Sequence, residues 1–410
     1  SKHVIVQNQP PKEINNDHST DGYNFPYFIE KLGGIRGSVK TVLGGESTPL
    51  VYKDHIVTKA ELADPANIES SREVNAKYED YIGADVFHSQ FISDFHAAYA
   101  EIGKYINVNF VEVDTVAEAD TNVYIAAAEK LRGYAAWAWS GYNIIWNGGI
   151  SYEKPTINYS FYTALHEIGH TLDMAHSSNG FKNTFRAKED TLELTNMSYN
   201  NGVKDNLFYN LKTLRMYDIA YLQYQFGVNK TARAGNDVYT FKAYNSYSPD
   251  GDIYIWYGAG VDTFDASNEE KGVNVDLTPG SWIYVGEERE QTLVIKEAKT
   301  YTPQEYFGMP KETVITDRLW KSLGNTTFNE YTKGQAYIGQ GTQIENLLGS
   351  AHNDTLIGNA ADNNIYGGAG DDMIEGGAGN DYLDGGKGMD TLKGGLGDDL
   401  YFINDADLIV

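Results

Sequence analysis

The sequence predicts an α+β domain followed by an all-β domain that ends in a parallel β-roll, and three observations carry that prediction. Residues 166–176 read His-Glu-Ile-Gly-His-Thr-Leu-Asp-Met-Ala-His, a helical pattern that must break before its third histidine. Six consecutive nine-residue units rich in Gly and Asp fill residues 349–402. Between residues 85 and 127, an aromatic stripe at helical spacing is followed by two β-rich runs. The boundary is placed near residue 240, giving domains 1–240 and 241–410, each long enough to bury its own core.

Taken in order, residues 1–80 are polar and turn-rich, with one aromatic cluster at 23–27. Phe87, Phe91, Phe95, Tyr99 and Ile102 recur every three or four positions and predict an amphipathic helix over about 85–105 that backs a sheet. Strands are predicted at 108–113 and 122–127, and residues 133–139 follow, where Trp137 and Trp139 alternate and would share a face of an extended chain.

The histidine run follows. Residues four apart on a helix differ by about 40° around its axis, so His166 and His170 present two imidazoles to one ion. This arrangement predicts a zinc site. Glu167 is badly placed to join the same coordination shell and well placed to take a proton from water at the ion, which predicts a general base and then acid. His176 lies too far along a straight helix to reach that ion, so the chain must turn between them. Asp173 is where it should turn: a left-handed residue is needed there, and after glycine, Asp and Asn adopt that conformation most readily.

From Gly349 the repeat runs GSAHNDTLI, GNAADNNIY, GGAGDDMIE, GGAGNDYLD, GGKGMDTLK and GGLGDDLYF. Unbroken register over six units argues against the alternative of a flexible Gly/Asp linker. The pattern matches the G-G-x-G-x-D-x-U-x repeat, in which the glycine half is a turn and the U residue points into a roll. Carboxylates at Asp354, Asp372, Asp381, Asp390 and Asp399, with turn carbonyls from Gly367, Gly368, Gly370, Gly376, Gly377, Gly379, Gly385, Gly386, Gly388, Gly394, Gly395 and Gly397, predict several structural calcium ions. Asn363 stands at the aspartate position of the second unit, where a weaker site is expected. Leu356, Ile365, Ile374, Leu383, Leu392 and Tyr401 should point inward.

The histidine run resembles the long zinc consensus of the metzincin peptidases, and zinc helix followed by calcium roll resembles the serralysins in particular. Asp218-Ile219-Ala220 with Gln223 and Phe226-Gly227, residues 237–241, 260–265 and 342–346 are also similar to serralysin segments. The resemblance implies a Met-turn at 196–199, with Met197 as an apolar floor beneath zinc and Tyr199 as a fifth ligand or as a donor to the reacting carbonyl. It implies that the strand at 133–139 rims the cleft, with Tyr134, Ala135, Ala136 and Trp137 contacting an extended substrate. It further implies protein or peptide substrates, a small proteinaceous inhibitor as partner, a monomer, and type I secretion to the extracellular space. Three features depart from the family: Asp173 in the glycine position, Ser177 where proline is usual, and a stretch at 283–336 with no clear counterpart.

Composition is consistent with this reading. A net charge of −25 disfavours nucleic acid as a partner, and the absence of cysteine excludes disulfides and thiol nucleophiles. No stretch approaches a membrane span, and the first residues lack an apolar signal core. Two alternatives share parts of the evidence: a calcium-dependent adhesin or surface-layer-like protein with a decayed zinc site, and a processing protease with one natural substrate.

Overall fold

The computed structural model describes residues 3–8, 49–68, 83, 89–126, 136–138, 143–147, 159–177, 192, 194–198, 213–242, 253–256, 258–287, 291–295, 300–301, 320–321, 326–330, 335–339 and 341–410. The chain forms two compact units that interleave along the sequence. One comprises 28–227 and 291–330, the other 1–27, 228–290 and 331–410. A single division near residue 240 therefore misses two exchanges of chain.

The first unit is α+β. Its sheet runs in the order Val108–Glu112, Leu50–Ile56, Thr121–Ala126, Ile144–Asn147, Ala136–Ala138. The first four strands are parallel, and Ala136–Ala138 is antiparallel at one edge, with Trp137 opposite Ile145. Helix α1, Ser89–Gly103, carries Phe91, Phe95, Tyr99 and Ile102 of the expected stripe, whereas Phe87 lies outside the described residues. Phe91 and Phe95 lie against Trp146 of the sheet, at ring-centroid distances of 4.7 and 5.2 Å, and Tyr99 meets Phe110 at 5.0 Å. Phe91, Phe95, Tyr99 and Trp146 are buried, and their dispersion contacts hold the helix to the strands. Two further helices, α2 at Tyr159–Thr171 and α3 at Met216–Phe226, carry the candidate site and its supports.

The second unit is all-β. One sheet has the order His3–Asn8, Asp398–Ile403, Tyr382–Asp384, Asn364–Tyr366, Asn346–Leu348, Thr263–Asp265, Val238–Tyr239. The other runs Leu408–Ile409, Thr391–Leu396, Met373–Ala378, Thr355–Ile357, Val273–Asp276, Trp282–Val285, Gln335–Ile338, Tyr254–Ile255. Successive nonapeptides alternate between the sheets, so pairing steps by 18 residues: Leu347 opposes Ile365, Ile365 opposes Leu383, and Leu383 opposes Tyr401, all in parallel. Two turns and two short strands make one coil of the roll. Leu347, Leu356, Ile365, Ile374, Leu383, Leu392 and Tyr401 share the interior with Phe264, Val275 and Ile283.

The N-terminal strand pairs antiparallel with the last strand of the first sheet, Ile5 opposite Tyr401, which extends that sheet by one strand. The unusual stretch at 283–336 also has a simple topology. Trp282–Val285 and Gln335–Ile338 are antiparallel neighbours, with Ile283 opposite Ala336. Between them the chain forms nested antiparallel pairs, Gln291–Ile295 with Thr326–Glu330 and Thr300–Tyr301 with Trp320–Lys321, which group with the α+β unit. Among the described residues no helix is long and apolar enough to cross a membrane.

Candidate functional site

Helix α2 carries His166 and His170 one turn apart, as their spacing requires. It ends in a Schellman turn: Asp173 N–H donates to the His170 carbonyl and Met174 N–H to the Gly169 carbonyl, both at 3.0 Å. Asp173 has φ 73° and is the sole non-glycine residue with positive φ among those described. That conformation costs a residue with a side chain about 1–2 kcal/mol. The reversal brings His176 back beside the helix. The three Nε2 atoms stand 3.0, 3.0 and 3.2 Å from one another.

This cluster fits a metal ion. His166 Nδ1 faces the Asn196 carbonyl at 2.7 Å and His170 Nδ1 faces the Met174 carbonyl at 2.8 Å. A carbonyl only accepts, so both protons sit on Nδ1 and both Nε2 lone pairs aim at the common point. Converging lone pairs repel unless a cation lies between them. Around zinc, bonds of ~2.0–2.1 Å in a tetrahedron place neighbouring nitrogens about 3.3 Å apart, close to the separations seen. Burial pushes His166 down to about 3, with His170 adding to the shift, and His170 down to about 4, so both remain neutral donors near pH 7.

Glu167 is buried beside the triad, with its Oε2 atom lacking a protein partner, and burial pushes its carboxyl up to about 8. Met197 is buried under α2. A Cβ at Gly169 would lie 3.1 Å from the Met197 sulfur and 3.3 Å from that of Met174, so the glycine makes room for both between the two histidine turns. Ala136 is buried on the edge strand, and the backbone of Trp137 continues that strand. Tyr199, Tyr134 and Ala135 lie outside the described residues.

Several supports escaped sequence reasoning. The Asn196 carbonyl that orients His166 also accepts from Tyr162 Oη at 3.0 Å. Asp218, on α3, accepts from Thr195 Oγ1 at 2.6 Å, Asn196 N–H at 2.8 Å and Arg215 N–H at 3.0 Å. It thereby ties the helix start to the turn that holds Met197. Burial raises the Asp218 carboxyl to about 6 despite those hydrogen bonds. Asp218 stood in a segment singled out by resemblance, but nothing local revealed its partners.

In the roll, the turns divide into two kinds. Asp372, Asp381, Asp390 and Asp399 each use Oδ1 to accept a backbone N–H one coil earlier, at 2.8 to 3.1 Å where the acceptors are Asp372, Asp381 and Asp399; Asp390 accepts from Asp372 N–H at 2.9 Å. Their Oδ2 atoms are buried without protein partners. A Cβ at Gly367 would meet Asp372 Oδ2 at 2.4 Å and the Gly385 carbonyl at 2.5 Å, so two oxygens converge where only a glycine leaves space. Gly388, at φ 137°, takes a backbone conformation that other residues rarely adopt. Such oxygen donors fit calcium. Burial, with neighbouring carboxylates adding, pushes Asp372 and Asp381 up to about 7.

The first two turns differ. Asp354 accepts from Val273 N–H and Ser350 Oγ through Oδ1 and from Ser350 N–H through Oδ2, at 2.6 to 2.8 Å. Asn363 accepts from Asn359 N–H and donates to the Ile344 carbonyl. Protein groups satisfy both side chains.

The chain thus combines a histidine triad able to hold a metal ion, on an α+β unit, with a nonapeptide β-roll. The model of the RTX calcium-binding nonapeptide repeat matches residues 348–383 and 375–402. Serralysin B of Dickeya chrysanthemi is 31% identical over 192 residues, covering 41% of this chain and 38% of the relative. Serralysin of Proteus mirabilis is 31% identical over 148 residues, covering 32% and 30%. Metalloprotease AprA of Pseudomonas entomophila (strain L48) is 33% identical over 153 residues, covering 32% of each. The chain thus spans between about a third and two fifths of these relatives. Over these segments the chain is similar to serralysins.

Proposed function

We propose that this chain is a secreted zinc metalloendopeptidase whose folded state depends on calcium in its roll. The observation that carries the reading is the convergence of three Nε2 atoms beside the buried, unpartnered oxygen of Glu167. The repeat match supports calcium, and relatives named serralysin and metalloprotease support the reaction class.

His166, His170 and His176 would hold the ion, with the rings of His166 and His170 oriented by backbone carbonyls. Zinc supplies a Lewis acid for the scissile carbonyl and makes water acidic enough to attack near neutral pH. A cation held by the histidines would favour the ionised form of Glu167, which then takes the proton from the attacking water and returns it to the leaving amine. Tyr199, two residues after Met197, donates to the oxyanion of the tetrahedral species. The edge position of Ala136–Ala138 suits antiparallel pairing with an extended peptide, with Tyr134, Ala135, Ala136 and Trp137 along it. The substrates are proteins or peptides, and the chain acts as a monomer.

Elemental analysis alongside casein hydrolysis tests this reading. One zinc per chain and chelator-sensitive cleavage are expected. Glu167→Gln should retain zinc and lose at least about 10²-fold in activity, the low end for general acid–base catalysis. A zinc-loaded Glu167→Gln chain that cleaves at the parent rate overturns the mechanism.

A further inference from the structure

Helix α2 is held not only by the carbonyls that orient its histidines but also, at its strained end, by α3. The hydroxyl of Tyr221, a fully buried side chain on α3, donates to the Asp173 carbonyl at 3.0 Å from 48 positions away. That carbonyl and the Met174 N–H belong to one peptide group. Met174 N–H is already committed to the Gly169 carbonyl at 3.0 Å. Both ends of the peptide that follows the left-handed residue are therefore fixed, one by the helix and one by Tyr221.

This peptide governs two of the three histidines. The Met174 carbonyl, one peptide further on, receives His170 Nδ1 at 2.8 Å and sets that ring's orientation. His176 lies three residues beyond Asp173, so its approach depends on the turn being made. A glycine would adopt φ 73° freely, whereas Asp173 adopts it against the steric preference of its own Cβ. A buried tyrosine needs some acceptor for its hydroxyl. The acceptor found here belongs to the one described residue whose conformation is unfavourable and on which the metal site depends.

We propose that Tyr221 is a positioning residue for the metal site, pinning the left-handed Asp173 turn and through it His170 and His176. The proposal rests on the histidine-site reading above. Its test is the zinc dissociation constant of the calcium-saturated chain, measured by competition with a chromophoric chelator, together with the visible spectrum of the cobalt-substituted protein. The parent, Tyr221→Phe, Asp173→Gly and the double variant are compared.

Tyr221→Phe should weaken zinc about tenfold, the low end for loss of a group that orients ligands, and should alter the cobalt spectrum. Asp173→Gly should stay near the parent. In the Asp173→Gly background, Tyr221→Phe should cost less than about threefold, because a glycine holds the turn without help. A Tyr221→Phe chain with parent zinc affinity and parent cobalt spectrum overturns the proposal. An equal loss in both backgrounds also overturns it, since Tyr221 would then act through general packing. A parent chain that takes up no zinc overturns the histidine-site reading, and this proposal with it.

Discussion

The histidine cluster and the aspartate turns both leave buried polar atoms without protein partners, Oε2 of Glu167 in one and Oδ2 of Asp372, Asp381, Asp390 and Asp399 in the other. They assemble those atoms in opposite ways. The histidine cluster draws on one helix, one strained turn and supports 22 to 48 residues distant, each of them present once. The roll repeats a single geometry, in which every coil lies 18 residues from the next and each aspartate accepts from its counterpart. A site made of unique parts keeps its donors oriented through hydrogen bonds within the protein. In the roll, carboxylates stack on carboxylates, and on the proposed reading a cation offsets their charge.

The largest expected effect follows from that contrast. Removing calcium from the full chain should abolish hydrogen-exchange protection across 346–402 while helices α1 and α2 keep theirs. Equal protection of the roll in excess chelator would end the distinction between a site that holds itself and one that is held by metal.

Within the roll, Asp372→Asn and Asp354→Asn separate the two kinds of turn. Asp372→Asn removes an unpartnered buried oxygen and should weaken calcium uptake at least about tenfold. Asp354→Asn should leave calcium affinity within about twofold and cost roughly 1–3 kcal/mol in stability, because its oxygens serve protein donors. Equal calcium losses in calorimetric titrations would place Asp354 among the metal ligands after all.

Acidity should act on the calcium-free roll in a direction opposite to ordinary acid denaturation. Asp372 and Asp381 are raised to about 7 from 3.8, so the folded roll binds more protons than the unfolded chain between about 4 and 7. Their contribution to stability is fully present below about 4 and is lost as pH rises through 7. Without calcium, the roll should therefore be more stable at pH 5 than at pH 8, as denaturant midpoints followed by circular dichroism would show. With calcium bound, the carboxylates are held ionised and the order should reverse.

The smallest effect concerns the floor of the histidine site. Met197→Leu keeps most of the apolar volume beneath Gly169 and should cost less than about 1.5 kcal/mol in thermal unfolding, with zinc retained. Loss of the metal in this variant would give the thioether a more direct part than packing.

Where a signal is local, the chain states it openly. The turn at Asp173, the helix of Phe91, Phe95 and Tyr99, and the inward positions Leu356 to Tyr401 all follow from spacings of nine residues or fewer, because one helix turn or one nonapeptide repeats its geometry at short range. Partners brought together by folding carry no such period. That the chain leaves the β unit after residue 290 and returns at 331, that Ser350 and Val273 use the oxygens of Asp354, and that Asp218 and Tyr221 on α3 anchor the turns beside His166 and His170 were decided by tertiary structure. Each depends on which buried polar group finds which partner across tens of residues. A buried donor must be satisfied, but spacing alone does not say by whom.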